Sequence, residues 1–341
     1  MTTKRWLSVC LAMVMTIAGC AGSQDLASPQ DETTTSDPTT ISIEVATTTS
    51  TAQSTTTTIP SGPPYEFEVV EDVEYQEFHP PSNDPLVDIY TPKLEGPLPV
   101  AVLFHPFSVY NDKSRMAGLA QDLAEAGIVV FNVSYGSTTT GEYVRVSGLQ
   151  GTCSYWYAAE NAAIYGGDPE DITLVGFSGG ANTAMSFVTY APNEAVGCFA
   201  DKVDIEPSAL VLFEGDWLLQ PLWDDAIRED PTLYGDSSVW DHIDSYAGYP
   251  VHLVIDEATR GVYEYTVSAK RTPEYLTLRD PDGSKRSDLE DLGALDDGAV
   301  DLVEFSELFH LRLERAGHPT TLTSIDSRAH SMTVEAREAI V

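Results

Sequence analysis

Positive charge is scarce in this chain. Eighteen Lys and Arg stand against 53 Asp and Glu, for a formal net charge of −35. Phosphate backbones need basic patches, so nucleic acid is excluded as a partner. Strongly anionic substrates meet a repulsive field. The excess acid reads as a solubilising surface. Cysteine is sparse as well, with four residues in 341. No spacing of His, Cys and acidic residues fits a metal site, and no glycine-rich phosphate loop occurs. No metal and no cofactor are therefore expected. No internal repeat is visible.

The first apolar run, Trp6 to Ile17, is too short to span a bilayer as a stable helix. Lys4 and Arg5 precede it. It ends in Ile17-Ala18-Gly19-Cys20, which resembles a bacterial lipobox. That resemblance implies a signal peptide over 1–19 and a diacylglycerol anchor on Cys20. The expected location is then the extracellular face of the cell membrane, with the lipid as membrane partner. Residues 20–62 are rich in Thr, Ser and Pro and carry almost no large apolar side chains. Such a segment buries too little surface to offset its ordering entropy and is expected to be a disordered tether. The remainder, 65–341, is long enough for one domain with a full core.

Apolar runs at Val87–Thr91, Val100–Phe104, Ile128–Val133, Ile172–Phe177, Ala209–Phe213, Val251–Ile255 and Thr320–Ile325 read as strands. Tyr65–Val70 and Val73–Phe78 alternate as half-buried strands do. Helical patterns at Ser114–Ala126, Cys153–Tyr165, Ala181–Val188 and Ser306–Ala316 separate them, and a short helix follows Ser331. Alternating strands and helices predict a three-layer αβα sandwich around a mostly parallel sheet. Segment 258–296 reads as an insertion, either a lid or a surface excursion. Cys153 and Cys198 are placed near helices flanking one strand. In an exported protein they are expected to form a disulfide, the alternative being two buried thiols.

One short stretch carries the chemistry. Gly176-Phe177-Ser178-Gly179-Gly180 stands between the strand Ile172–Val175 and a helix. A serine in this setting sits on a sharp, strained turn, and the flanking glycines let strand and helix pass close by. The following helix aims its first amides at any anion formed there. The preceding segment, Glu160-Asn-Ala-Ala-Ile-Tyr-Gly-Gly-Asp-Pro-Glu-Asp-Ile172, together with the elbow, resembles the esterase/lipase and dienelactone-hydrolase-like branches of the α/β-hydrolase family. The resemblance runs from about Asp88 to His330. It implies an α/β-hydrolase fold and hydrolysis of a small-molecule or polymeric ester through an acyl-enzyme. Alternatives left open are a peptidase or thioesterase of the same fold, or a surface protein that binds without catalysis.

A serine hydroxyl needs a base, and the base needs an orienting acid. In this fold the three occur in the order Ser, Asp/Glu, His. Of the seven histidines, His79 and His105 precede Ser178. His330, in Asp326-Ser-Arg-Ala-His330-Ser331, follows the last strand and is the expected base. For the acid, Asp297 in Gly293-Ala-Leu-Asp-Asp297-Gly-Ala-Val300 resembles the family's element displaced past the insertion. Asp256, ending the strand Val251–Ile255, is the alternative, with Asp296 and Glu257 behind it. The oxyanion donors are expected at Gly179 and Phe107, because Pro106 has no N–H. Trp217 and Trp223 are candidates for the pocket wall or for core packing.

Overall fold

The computed structural model describes residues 64–77, 84–107, 112–136, 142–189, 197–203, 206–215, 243, 248–260, 265–266, 299–327 and 331–340. The expected signal peptide, Cys20, the tether, His330, Asp296, Asp297, Trp217, Trp223 and most of the insertion lie outside them.

The elements follow the apolar pattern of the chain. They are β1 Phe67–Glu74, β2 Leu86–Pro92, β3 Leu98–Phe104, α1 Ala117–Glu125, β4 Val129–Val133, α2 Glu142–Asn161, β5 Gly167–Phe177 and α3 Gly179–Thr189. Then come β6 Ala209–Phe213, β7 Val251–Asp256, β8 Tyr265–Thr266, β9 Ala299–Val300, α4 Leu302–Arg315, β10 Thr320–Ile325 and α5 Val334–Ile340. The main sheet has eight strands in the order β1-β2-β4-β3-β5-β6-β7-β10. β2 is antiparallel to both β1 and β4, and every other neighbour pair is parallel. β8, within the insertion, and β9, just after it, pair with each other in a separate ladder.

The period-2 alternation of the strands divides the core between the two faces of the sheet. Val100, Val102, Phe104, Ile172, Leu174, Leu210, Leu212 and Leu253 face one way and pack with Tyr155 and Ala158 of α2 and Phe305 and Phe309 of α4. Ala101, Leu103, Val130, Val175, Phe213 and Val254 face the other way, toward Leu119 and Leu123 of α1 and Ala336 of α5. This is the expected three-layer sandwich. Among the described residues no helix is long and apolar enough to cross a membrane.

Several boundaries differ from the sequence reading; β5, for one, begins at Gly167 instead of Ile172. Helix α2 begins at Glu142, eleven residues before Cys153, so Cys153 lies within the helix rather than at its start. Gly148 and Gly151 hid it, since each lowers helix propensity by about 1 kcal/mol. Gly151 has a packing role: a Cβ there would come within 2.9 Å of Thr183 Cγ2 on α3. Helix α4 starts at Leu302, where Asp301 and Glu304 form a reciprocal capping box,. The two strands expected at 65–70 and 73–78 are one strand, β1, with a register shift between Val70 and Val73 and Asp72 at φ 58°. The predicted disulfide is present: Cys153 and Cys198 are bonded, with Cα atoms 5.1 Å apart.

Candidate active site

The chemistry-bearing side chains gather at the carboxyl ends of the parallel strands, where open α/β sheets place their sites. Ser178 follows β5. Its φ of 53° makes it one of the few non-glycine residues in the left-handed region among the described residues, a strain held by its surroundings. Its N–H donates to the Phe213 carbonyl at 2.8 Å, and its own carbonyl accepts from the Ala181 N–H at 2.9 Å. The elbow glycines are spatially required. A Cβ on Gly176 would fall 2.4 Å from Ala181 Cα, and one on Gly180 would fall 2.1 Å from the Phe104 carbonyl oxygen. The turn is thus wedged between β5, α3 and the end of β3.

A cavity of about 330 Å³ opens beside Ser178. Phe107, Phe177 and Met332 give it apolar walls, and Arg115 and Ser331 add polar groups. Gly179 opens α3, and its backbone lies under the Phe107 ring, where a Cβ would overlap Cγ of Phe107 at 1.9 Å. The structure therefore brings the two expected oxyanion residues against each other, with Phe107 on the cavity wall. His105, just behind Phe107, is completely buried, and burial lowers its pKa to about 4 against the opposing pull of the Pro106 carbonyl and Asp112.

Asp256 is the last residue of β7 and is fully buried. One carboxylate oxygen accepts from the backbone N–H groups of Ala258 and Ser327, each at 3.0 Å. The other accepts the Ser327 hydroxyl. Ser327 belongs to the turn after β10, three residues before His330. Ser331, one residue after His330, lines the Ser178 cavity. Ser327 is thus bonded to Asp256, and Ser331, four residues on, lies at the pocket of Ser178.

The other described histidines are engaged elsewhere. His252 Nδ1 lies 2.5 Å from the Thr321 hydroxyl, His310 Nδ1 lies 3.0 Å from the Thr320 hydroxyl, and His318 Nε2 lies 2.9 Å from the Ile243 carbonyl. None of them lines the cavity. Glu257 is committed as well: its hydrogen bonds to Arg260 hold its carboxyl below the usual range, and it accepts the Ser324 hydroxyl at 2.9 Å.

Three residues near the site were not singled out by sequence. Glu214, at the end of β6 with φ 47°, is 1 % exposed. It accepts the Thr259 hydroxyl at 2.7 Å and the Asp256 N–H at 3.4 Å, bracing the turn after β7. Arg115 lines the cavity. Tyr135 stacks on His105 with ring centroids 4.2 Å apart. None belongs to a local motif; only the strand order brings them in.

No family model matches the chain, and no curated protein matches it by sequence. Solved structures do match it. Esterase B from Lactobacillus rhamnosis superposes with a TM-score of 0.54 at 12% identity, covering 77% of this chain and 76% of the esterase. The esterase Est2 from Thermogutta terrifontis gives 0.51 at 16% identity over 83% and 88%. The fold is that of the α/β-hydrolases. Esterase 2 of Thermogutta terrifontis phosphoramylated by tabun matches this chain with a TM-score of 0.52 at 16% identity, over 80% of it and 90% of the esterase. No group of three or more metal-binding side chains occurs among the described residues.

Proposed function

We propose that the chain is a serine hydrolase of carboxylic esters, with Ser178 as nucleophile, His330 as base and Asp256 as the orienting acid. The observation that carries this reading is the position of the turn after β10. Its Ser327 is bonded to buried Asp256, and its Ser331 lies on the wall of the Ser178 cavity. His330 falls between these two residues in sequence. Asp256 is preferred over Asp297 because it ends a strand of the main sheet next to β10, with a direct bond to the loop that carries the base.

In this mechanism Ser178 Oγ attacks the ester carbonyl while His330 takes its proton. The oxyanion is met by the amides of Gly179 and Phe107. Collapse expels the alcohol, which receives the proton from His330. Water then attacks the acyl-enzyme with His330 as base again, releasing the acid and restoring the serine hydroxyl. The cavity of about 330 Å³, with Phe107, Phe177 and Met332 in its wall, suits a short or medium acyl group,. The fold neighbours support this chemistry. One of them is an esterase B inhibited by a C4-C4 tributyrin phosphonate, with a TM-score of 0.53 to this chain. We further propose a lipid anchor on Cys20 that holds the domain at the outer face of the cell membrane.

Replacing Ser178 by Ala tests the reading on p-nitrophenyl butyrate. The expected loss in kcat is about 10³-fold or more, with the variant still folded. Activity within tenfold of the parent would refute it.

A further inference from the structure

We propose that Tyr135 is a positioning residue of the oxyanion site. It clamps His105 and the Phe107 ring, and so sets the Phe107 N–H opposite the Gly179 amide. The inference rests on the reading of Ser178 as the nucleophile.

Tyr135 lies just past the end of β4, beside the end of β3. It grips the following loop in four ways. Its hydroxyl donates to the His105 carbonyl at 2.5 Å, and its N–H points at His105 Nε2 at 3.4 Å. Its ring stacks on the imidazole, with centroids 4.2 Å apart and planes at 23°. It also meets Phe104 and Phe107 edge-on, at 6.0 and 6.4 Å. Residues on both sides of Pro106 are therefore tied to one tyrosine.

The chain around Tyr135 is itself anchored. The Tyr75 hydroxyl donates to the Ser134 carbonyl at 2.9 Å, and the Gly136 N–H donates to Gln150 Oε1 at 2.5 Å. Loop position thus passes from β4 and α2 to Phe107.

The hydrogen bonds also fix the state of His105. The Pro106 carbonyl, 2.9 Å from Nδ1, can only accept, so Nδ1 carries the proton. The Tyr135 N–H can only donate, so Nε2 is the acceptor,. Only the neutral Nδ1–H tautomer satisfies both partners. The Pro106 backbone, Asp112 and the Tyr135 backbone all favour a second proton on this ring; burial opposes them more strongly.

The chemistry gives this clamp a purpose. Pro106 removes one backbone donor from the loop, so the donor must be delivered one residue later. An oxyanion donor works only when held about 2.7–3.1 Å from the developing charge. The loop is also pressed against the elbow, because a Cβ on Gly180 would lie 2.7 Å from the His105 carbonyl oxygen. The carbonyl that borders Gly180 is the one that Tyr135 holds.

Two measurements test this. In the first, Tyr135→Phe is compared with the parent on p-nitrophenyl butyrate and for inhibition by a butyl trifluoromethyl ketone, whose serine adduct carries an oxyanion. The expected result is a fall in kcat of about 10- to 100-fold, with KM within about twofold and ketone affinity lost in parallel with kcat. Unchanged kcat and ketone affinity would overturn the proposal, as would a rise in KM alone. An inactive parent would refute the ester-hydrolase reading instead, and is thereby distinguished. The second measurement needs no variant. Nitrogen-15 NMR of histidine-labelled parent protein should show His105 as the Nδ1–H tautomer and still neutral at pH 5. An Nε2–H tautomer, or titration near pH 6.5, would overturn the clamp even if Tyr135→Phe fails to fold.

Discussion

Lowering the pH from 7.5 to 4 should unload a specific fraction of the stability through one buried ring. His105 is fully buried and its pKa is lowered by that burial from 6.5 to about 4. In the unfolded chain it titrates near 6.5. Between these values the unfolded state binds more protons than the folded one, so stability rises with pH across the window. The contribution is complete above about pH 6.5 and is lost as pH falls toward 4. A displacement of about 2.5 units is worth about 3 kcal/mol at 1.36 kcal/mol per unit. The assay is urea unfolding followed by tryptophan fluorescence at half-unit pH steps, for the parent and for His105→Gln. Carboxylates also titrate in this range; apart from Asp112, which interacts with His105, they are common to both proteins and cancel in the difference. The gap in unfolding free energy should shrink by about 3 kcal/mol between pH 7.5 and pH 4. A gap that stays constant within about 0.5 kcal/mol would refute the reasoning, because it would mean that His105 titrates alike in both states.

Two further outcomes are expected. Asp256→Asn should lower kcat on p-nitrophenyl butyrate by about 10² to 10⁴-fold, while Asp297→Asn should stay within about threefold of the parent; steady-state kinetics of the pair decides the acid, and the reverse pattern would move it to Asp297. Replacing Cys153 and Cys198 together by Ala opens a loop of sequence separation 45. Chain entropy for a loop of that size predicts a loss of about 4 kcal/mol, read as a lower urea midpoint, and a shift under about 1 kcal/mol would show that the bridge constrains the unfolded chain little.

Local signals were legible in the sequence and remote ones were not. The elbow at Ser178 could be read because its glycines answer a steric demand within five residues. The parallel strands could be read because both faces of the sheet are covered, which makes each strand continuously apolar. The setting of Asp256 was less legible. Its partner Ser327 lies 71 residues away, and only the pairing of β7 with β10 puts the two together. Asp297 has the more suggestive local sequence, yet the neighbouring strand β9 pairs with β8 instead of joining the main sheet. Tyr135 and His105 are 30 residues apart and meet because β4 and β3 are adjacent. The start of α2 was concealed by two glycines, one of which serves close packing on α3.

Covalent labelling tests the central claim most directly. The parent protein and Ser178→Ala would be treated with a fluorophosphonate at pH 7.5, and the adduct located by peptide mass mapping. The account predicts one stoichiometric adduct, on Ser178, that is absent from the variant. A folded parent that takes no label, or one labelled at another residue, would contradict it.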